Sequence, residues 1–236
     1  MDLRSREQVE ELMDQPGLEE QAHQRALAGL RRLNWISGSS RIVWPRLREL
    51  ARQHPNDRLR VLDVASGGGD VPIQLAHRAA RENLSLEFTG TDISPVAVDY
   101  ACRQAEEHAV PVQFREWNAL EEPVPGEFDV IMCSLFLHHL PADDAIHFLE
   151  KISQAARRMI LVNDLRRSTL GYGLAWIGCR LLSRSPIVHV DGPLSVRSAF
   201  TSQEAIEHAR RAGMEQVEIT RHWPQRFLLT WRKAGC

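Results

Sequence analysis

The chain has 236 residues, 43% of them hydrophobic and 25% charged, with a formal net charge of -2. That length suits one sizeable α/β domain with an added element, and the composition is that of an ordinary soluble globular protein. The charge balance argues against nucleic acid as an obligatory partner.

No apolar run approaches the ~20 residues that a bilayer-spanning helix needs. The start, Met-Asp-Leu-Arg-Ser-Arg-Glu, lacks an apolar signal region. Cys102, Cys133, Cys179 and Cys236 are scattered and read as reduced thiols. Together these features predict a cytoplasmic protein, and they leave its oligomeric state open.

In chain order, residues 1–57 read as an N-terminal helical cap. Ala26, Leu27, Leu30 and Leu33 recur at helical spacing. Residues 34–40 interrupt the pattern, and a second helix is expected over Ile42–Gln53. Apolar segments of strand length then alternate with helix-length ones. Strands are expected at Arg60–Ala65, Ser85–Thr91, Val112–Glu116, Phe128–Cys133 and Met159–Asn163, with helices near 71–82, 95–108 and 142–155. Strand-helix alternation implies a parallel sheet covered on both faces. Ser94-Pro95 marks the start of one helix, with a Ser cap and Pro in the first position.

Residues 165–200 read as an insertion containing an apolar helix (Leu170–Leu182) and a loop around His189-Val-Asp-Gly-Pro. Thr201-Ser-Gln-Glu204 is a capping box opening the last helix, and Gly213 ends it. Two strands close the chain, Gln216–His222 and Arg226–Trp231. The three residues between them are too few for a crossover helix, so the pair should be antiparallel.

Val61–Asp70 carries the most chemistry. An apolar strand runs into Gly67-Gly68-Gly69, a turn whose backbone can press against a ligand. A dinucleotide fingerprint would place a third glycine where Asp70 stands. Asp70 and Asp63 put carboxylates near the turn, which disfavours a pyrophosphate and favours a cationic ligand without phosphate there. Asp92, at the tip of the second strand, is placed to take a ribose diol, with Ile93 beside it for an adenine face. Asn118 and Ser134 lie at the tips of the next two strands.

The ordered motifs VLDVASGGGD, TDIS, EWNALEEP, FDVIMCSLFLHHL and MILVNDL resemble the class I S-adenosylmethionine-dependent methyltransferases, in particular the small-molecule branch with the ubiquinone and menaquinone methyltransferases. The resemblance covers roughly residues 58–165. It implies a Rossmann-like α/β fold whose seven-stranded, mostly parallel sheet has an antiparallel last strand, in a methyltransferase domain over residues 58–236. It also implies S-adenosyl-L-methionine as cofactor. Asp63, Gly67 and Gly69 would frame its methionine part and Asp92 its ribose; Ile93, Asn118 and the Ala119 backbone would hold its adenine, and Ser134 its sulfonium end. Ala65 stands where the family more often has its first glycine, and Asn118 where it often has aspartate.

His138 and His139 follow the fourth strand, over the expected methyl group, and are candidates for a general base. His189 is a third. Asp164, Arg166 and Arg197, in or beside the insertion, are candidate substrate-orienting groups, and Trp35 a candidate roof for an apolar pocket. No metal-ligand spacing is evident, so no metal is expected. Cys133-Ser-Leu-Phe stands where amino-directed DNA and protein methyltransferases carry Asn/Asp-Pro-Pro-aromatic. With the charge balance this favours a small-molecule acceptor, and the apolar insertion and N-terminal cover suggest a hydrophobic one; the resemblance implies a phenolic, quinone-like or polyketide-derived compound, with O-methylation first and C-methylation second. A nicotinamide-dependent oxidoreductase and a catalytically silent nucleotide-binding module are the rival readings.

Overall fold

In the computed structural model, Leu59–Val64 forms β1, buried at every position except Arg60. The structure describes residues 3–9, 11, 12 and 19–234, leaving out the side chains of residues 20, 23, 30, 31 and 34–37. β1 lies mid-sheet, which is why it reads as an unbroken apolar run apart from Arg60 and Asp63. The other strands are β2 (Leu86–Asp92), β3 (Gln113–Glu116), β4 (Phe128–Ser134), β5 (Ala156–Leu165), β6 (Glu218–His222) and β7 (Arg226–Arg232).

The seven strands are ordered β3-β2-β1-β4-β5-β7-β6. β3, β2, β1, β4 and β5 run parallel. β7 inserts antiparallel between β5 and β6, as the short connection predicts. The strand order reverses between β1 and β4, and open α/β sheets bind ligands at the C-terminal strand ends beside such a switch.

Helices cover both faces. α2 (Ser39–Gln53), α3 (Asp70–Arg81) and α4 (Pro95–Glu107) share one apolar core with the sheet, and α5 (Ala142–Ala155) and α8 (Ser202–Arg211) the other. Trp44 is a packing residue whose indole N–H donates to Glu82. The Ser94 hydroxyl caps α4 by accepting from Ala97 N at 3.3 Å. Thr201 and Glu204 close the capping box of α8.

Two expectations are corrected here. α1 (Glu20–Ser37) continues through Asn34–Ser37, and the break falls at Gly38, in the left-handed region at φ 74. The segment read as a loop around His189 belongs to α7 (Pro186–Ser198), with Pro193 in its interior. Packing overrides local propensity there: a Cβ on Gly192 would lie 2.1 Å from Cys179 Sγ, so glycine lets α7 press against α6 (Thr169–Leu182). Ala26 of α1, Cys179 and Val188 pack together, roofing the C-terminal edge of the sheet. Among the described residues no helix is long and apolar enough to cross a membrane.

Candidate functional site

A cavity of about 730 Å³ opens over the ends of β1, β2 and β4. Its floor is the turn after β1. Ala65 takes a left-handed φ of 52°, which costs a residue with a Cβ about 1 kcal/mol; the glycine expected here would relieve it. Gly67 and Gly69 also have positive φ, and a Cβ on Gly69 would lie 2.5 Å from Phe114. Asp92 joins two turns: Oδ2 accepts from Gly67 N at 2.8 Å, Oδ1 from Ser94 N at 3.0 Å. Ile93 lines the same space and stays 67% exposed, an apolar face available to a flat ring.

Asp63 lies at the back of this floor. Its Oδ2 accepts from the Ser66 hydroxyl at 2.9 Å, and its buried Oδ1 has no hydrogen-bond partner among the described residues. Burial pushes its carboxyl up to about 8, against the Ser66 hydrogen bond and with the help of the Asp70 and Asp92 charges. A buried acceptor in a carboxylate cluster is a site for a cation. The turn, Asp63, Asp92 and Ile93 therefore fit S-adenosylmethionine and do not fit a dinucleotide's pyrophosphate.

Ala119 and Ser134 line the cavity. Asn118 also lines it, but its Oδ1 accepts from Leu120 N at 3.0 Å and Glu121 N at 3.3 Å. The oxygen expected to meet an adenine amino group thus shapes the turn after β3, a common use of Asn.

Beyond Ser134 the chain makes a single 3₁₀ turn, Leu137–His139. It buries His138 against Asp164 on β5, with Nδ1 2.6 Å from Asp164 Oδ1 and the His138 backbone N–H donating to Asp164 Oδ2 at 3.0 Å. Nε2 faces Glu11 Oε1 at 3.6 Å, and His139 Nε2 is 3.9 Å from the same oxygen. Burial alone would push the His138 imidazolium to a lower pKa; Asp164 first, then Glu11, reverse this and bring it to about 10. Burial also raises the Glu11 carboxyl, but the His138 hydrogen bond, the two histidine charges and the Ser195 hydroxyl hold it below its usual range. Glu11, His138 and His139 bring potential metal-ligand atoms within 4.8 Å of one another, a grouping that sequence spacing did not reveal.

His138, His139 and Asp164 are thus brought together, and other candidates are not. His189 points its Nε2 at the Ser183 carbonyl, 2.7 Å away, and anchors the start of α7. Arg197 pairs with Glu7. Arg166 donates to Gln225, and neither arginine lines the cavity. The segment holding His189 and Arg197 is helix, so their side chains serve its anchorage, while Arg166 ties the end of β5 to the turn between β6 and β7. Trp35 lies in α1, and its side chain is outside the described residues. Cys236 is outside them too.

The cavity walls include residues with no local signature: Glu11, Leu27, Cys179, Ser195 and Arg226. Arg226 of β7 is fully buried and donates to the Ser39 hydroxyl. Burial lowers its pKa to about 10, against the pull of Asp164 and Asp70. Its register partner across the sheet is Leu165, one residue past Asp164, so the β7 insertion delivers this cation.

Residues 61–158 match the family model described as a methyltransferase domain. A ubiquinone biosynthesis O-methyltransferase of Xanthomonas euvesicatoria pv. vesicatoria is 30% identical over 164 residues, covering 68% of this chain and 64% of that one. A demethylmenaquinone methyltransferase of Deinococcus radiodurans is 38% identical over 76 residues, covering 32% of this chain and 30% of that one. The chain thus spans less than two thirds of the length of these two relatives. Human N-acetylserotonin methyltransferase, solved with S-adenosylmethionine, superposes with a TM-score of 0.66 at 18% identity, covering 91% of this chain and 56% of that one. An O-methyltransferase family 2 protein from Planctomyces limnophilus, solved with apigenin, gives 0.64 at 16%, covering 92% and 63%. At these identities the two structures speak for the fold. Fold, glycine turn, Asp92 and sequence match converge: residues 61–158 carry a methyltransferase domain, on the fold seen in S-adenosylmethionine-dependent methyltransferases.

Proposed function

We propose that this protein transfers the methyl group of S-adenosylmethionine to a small hydrophobic acceptor, at a hydroxyl oxygen of a phenolic, quinone-like or polyketide-derived compound. The observation that carries this reading is the buried His138–Asp164 pair, whose histidine lines the same cavity as Ser134. The cofactor would supply a methyl carbon activated by cationic sulfur. Asp63 and the Gly67–Gly69 turn would hold its amino-acid part, Asp92 its ribose diol, and Ile93 with the Ala119 backbone its adenine.

The protein's own work is alignment, exclusion of water and control of one proton. A phenol has a pKa near ~10 and is a weak nucleophile at neutral pH. Asp164 fixes the imidazolium through Nδ1, so Nε2–H is the donor that can address the acceptor's oxygen and hold it as an anion while its proton leaves to solvent. A ring carbon activated by that hydroxyl would call on the same pair, which makes C-methylation the second reading. The names of the quinone-methylating relatives support an aromatic acceptor.

Single-turnover methyl transfer to a panel of phenols and hydroxyquinones tests this. Asp164→Asn is expected to slow the methyl-transfer step by roughly 10²–10⁴-fold, with S-adenosylhomocysteine affinity by calorimetry unchanged. Wild-type rates in both His138→Ala and Asp164→Asn would rule out a catalytic role for the pair. Mass spectrometric fragmentation of the product separates O- from C-methylation.

A further inference from the structure

The described residues from 3 to 12 lie as a strap along the 3₁₀ turn and α7. The Arg6 guanidinium donates to the carbonyls of His138 at 2.9 Å, Leu140 at 2.6 Å and Ser198 at 2.5 Å, and stacks over Phe200. Gln8 donates to the His139 carbonyl at 3.0 Å. Val9 N–H donates to the Ser198 hydroxyl at 3.3 Å, and Leu12 N–H to Asp191 at 2.9 Å. These contacts are polar, so the strap is seated by hydrogen bonds rather than by a core of its own. They set Glu11 in the cavity wall, where it accepts from Ser195 and faces Nε2 of His138.

Because Asp164 occupies Nδ1, an acceptor reaches His138 through Nε2. An acceptor oxygen must come within ~2.6–3.2 Å of that nitrogen to take a hydrogen bond from it. Glu11 Oε1 holds that approach at 3.6 Å. Both cannot be there together.

We propose that Glu11 is the gate of the acceptor site: its carboxylate stands in for the oxygen anion of the acceptor, which displaces it from His138 and is selected for its ability to carry negative charge there. This rests on the reading of His138 as the proton-holding group.

The substrate class follows from charge. The resting imidazolium sits between two carboxylates, Asp164 of β5 and Glu11 of the strap, with His139 on its own turn and Arg6 and Asp191 nearby. A neutral ligand in place of Glu11 would leave the imidazolium with one partner fewer, whereas a phenolate or enolate restores the pair. Acceptors with acidic hydroxyls, such as electron-poor phenols or the enols of 1,3-dicarbonyl compounds, are therefore favoured over simple alcohols. The balance is one proton per turnover. The acceptor's hydroxyl proton leaves to solvent on binding. Its oxygen then gives an electron pair to the methyl carbon while the C–S pair stays with sulfur. The imidazolium keeps its proton throughout, and Glu11 returns to it when the methylated product leaves.

The test uses full-length protein and a series of substituted phenols of graded pKa. Wild type is expected to bind the more acidic phenols better. Glu11→Gln removes the competing charge, so the acceptor KM should fall by roughly fivefold or more. The descending limb of kcat/KM against pH, where the imidazolium is lost, should move down by about one unit as His138 loses a carboxylate, with S-adenosylhomocysteine affinity unchanged. Arg6→Ala, which loosens the strap and leaves both carboxylate partners of the imidazolium in place, should lower the acceptor KM in the same direction, so the idea remains testable if Glu11→Gln folds poorly. An acceptor KM that rises or stays put, with the pH limb unmoved, would overturn the gate. So would activity lost to a chelator and restored by Zn²⁺ or Mn²⁺, which would put a metal between Glu11, His138 and His139. Wild-type turnover in His138→Ala would instead overturn the underlying reading.

Discussion

A single carboxyl at the back of the cavity makes the stability of the ligand-free protein depend on pH. Asp63 titrates near 3.8 when exposed and near 8 when folded. Between those values the folded chain holds a proton that the unfolded chain has released, so this group lowers stability as pH rises, by at most about 1.4 kcal/mol per unit. Asp63→Asn should flatten that part of the slope in denaturant titrations at pH 5 to 8. An unchanged slope would mean that the carboxyl is already ionised. Asp92 acts differently, because it both braces the Gly67 and Ser94 amides and faces the expected ribose. Asp92→Ala should weaken S-adenosylhomocysteine binding by about 2 kcal/mol, roughly 30-fold, in calorimetry. Both aspartates could be picked from the sequence, Asp92 by its place at a strand tip and Asp63 by its place beside the glycine turn. For Asn118 the sequence offered two uses, adenine contact or its own turn, and the choice between them could not be read because it depends on the path of residues 119–122.

Helix boundaries were legible wherever side-chain chemistry sets them. The Thr201–Glu204 box is one case, and Thr201→Ala should cost about 1 kcal/mol, visible as a loss of ~2–4 °C in Tm with little effect on cofactor binding. Ser94-Pro95 is another. The failures lie where packing sets the structure. Pro193 and Gly192 read locally as loop residues, yet the contact between α6 and α7 requires Gly192 and carries Pro193 inside a helix. Once that segment is helix, His189 is turned to the Ser183 carbonyl and leaves the list of catalytic groups. Asn34–Ser37 failed in the opposite sense, since the Ser and Asn there are tolerated until Gly38 reverses the backbone.

Across the whole molecule, the alternation of strands and helices made the parallel sheet readable, and the brevity of the last connection made the antiparallel pair readable. Glu11 was beyond reach, because its meeting with His138 and Ser195 is made only by tertiary structure. The same holds for Arg167, which is 6% exposed and donates to Leu3 O, Ala199 O and Glu204. Arg167→Ala should cost about 2 kcal/mol and speed amide exchange in residues 3–9 and at the start of α8 before it affects β1 or β4. Uniform loss of protection would contradict this local role. The insertion of β7 between β5 and β6 has a consequence for biosynthesis. β5 is among the most apolar strands, and its free edge is paired only when residues 226–232 have been made. At ~5–20 residues per second that edge stays open for seconds on the ribosome, after β1, β2, β3 and β4 have all emerged. Nascent chains arrested before residue 226 should therefore present β5 to proteases and chaperones, and those arrested far enough past residue 232 for β7 to clear the exit tunnel should not.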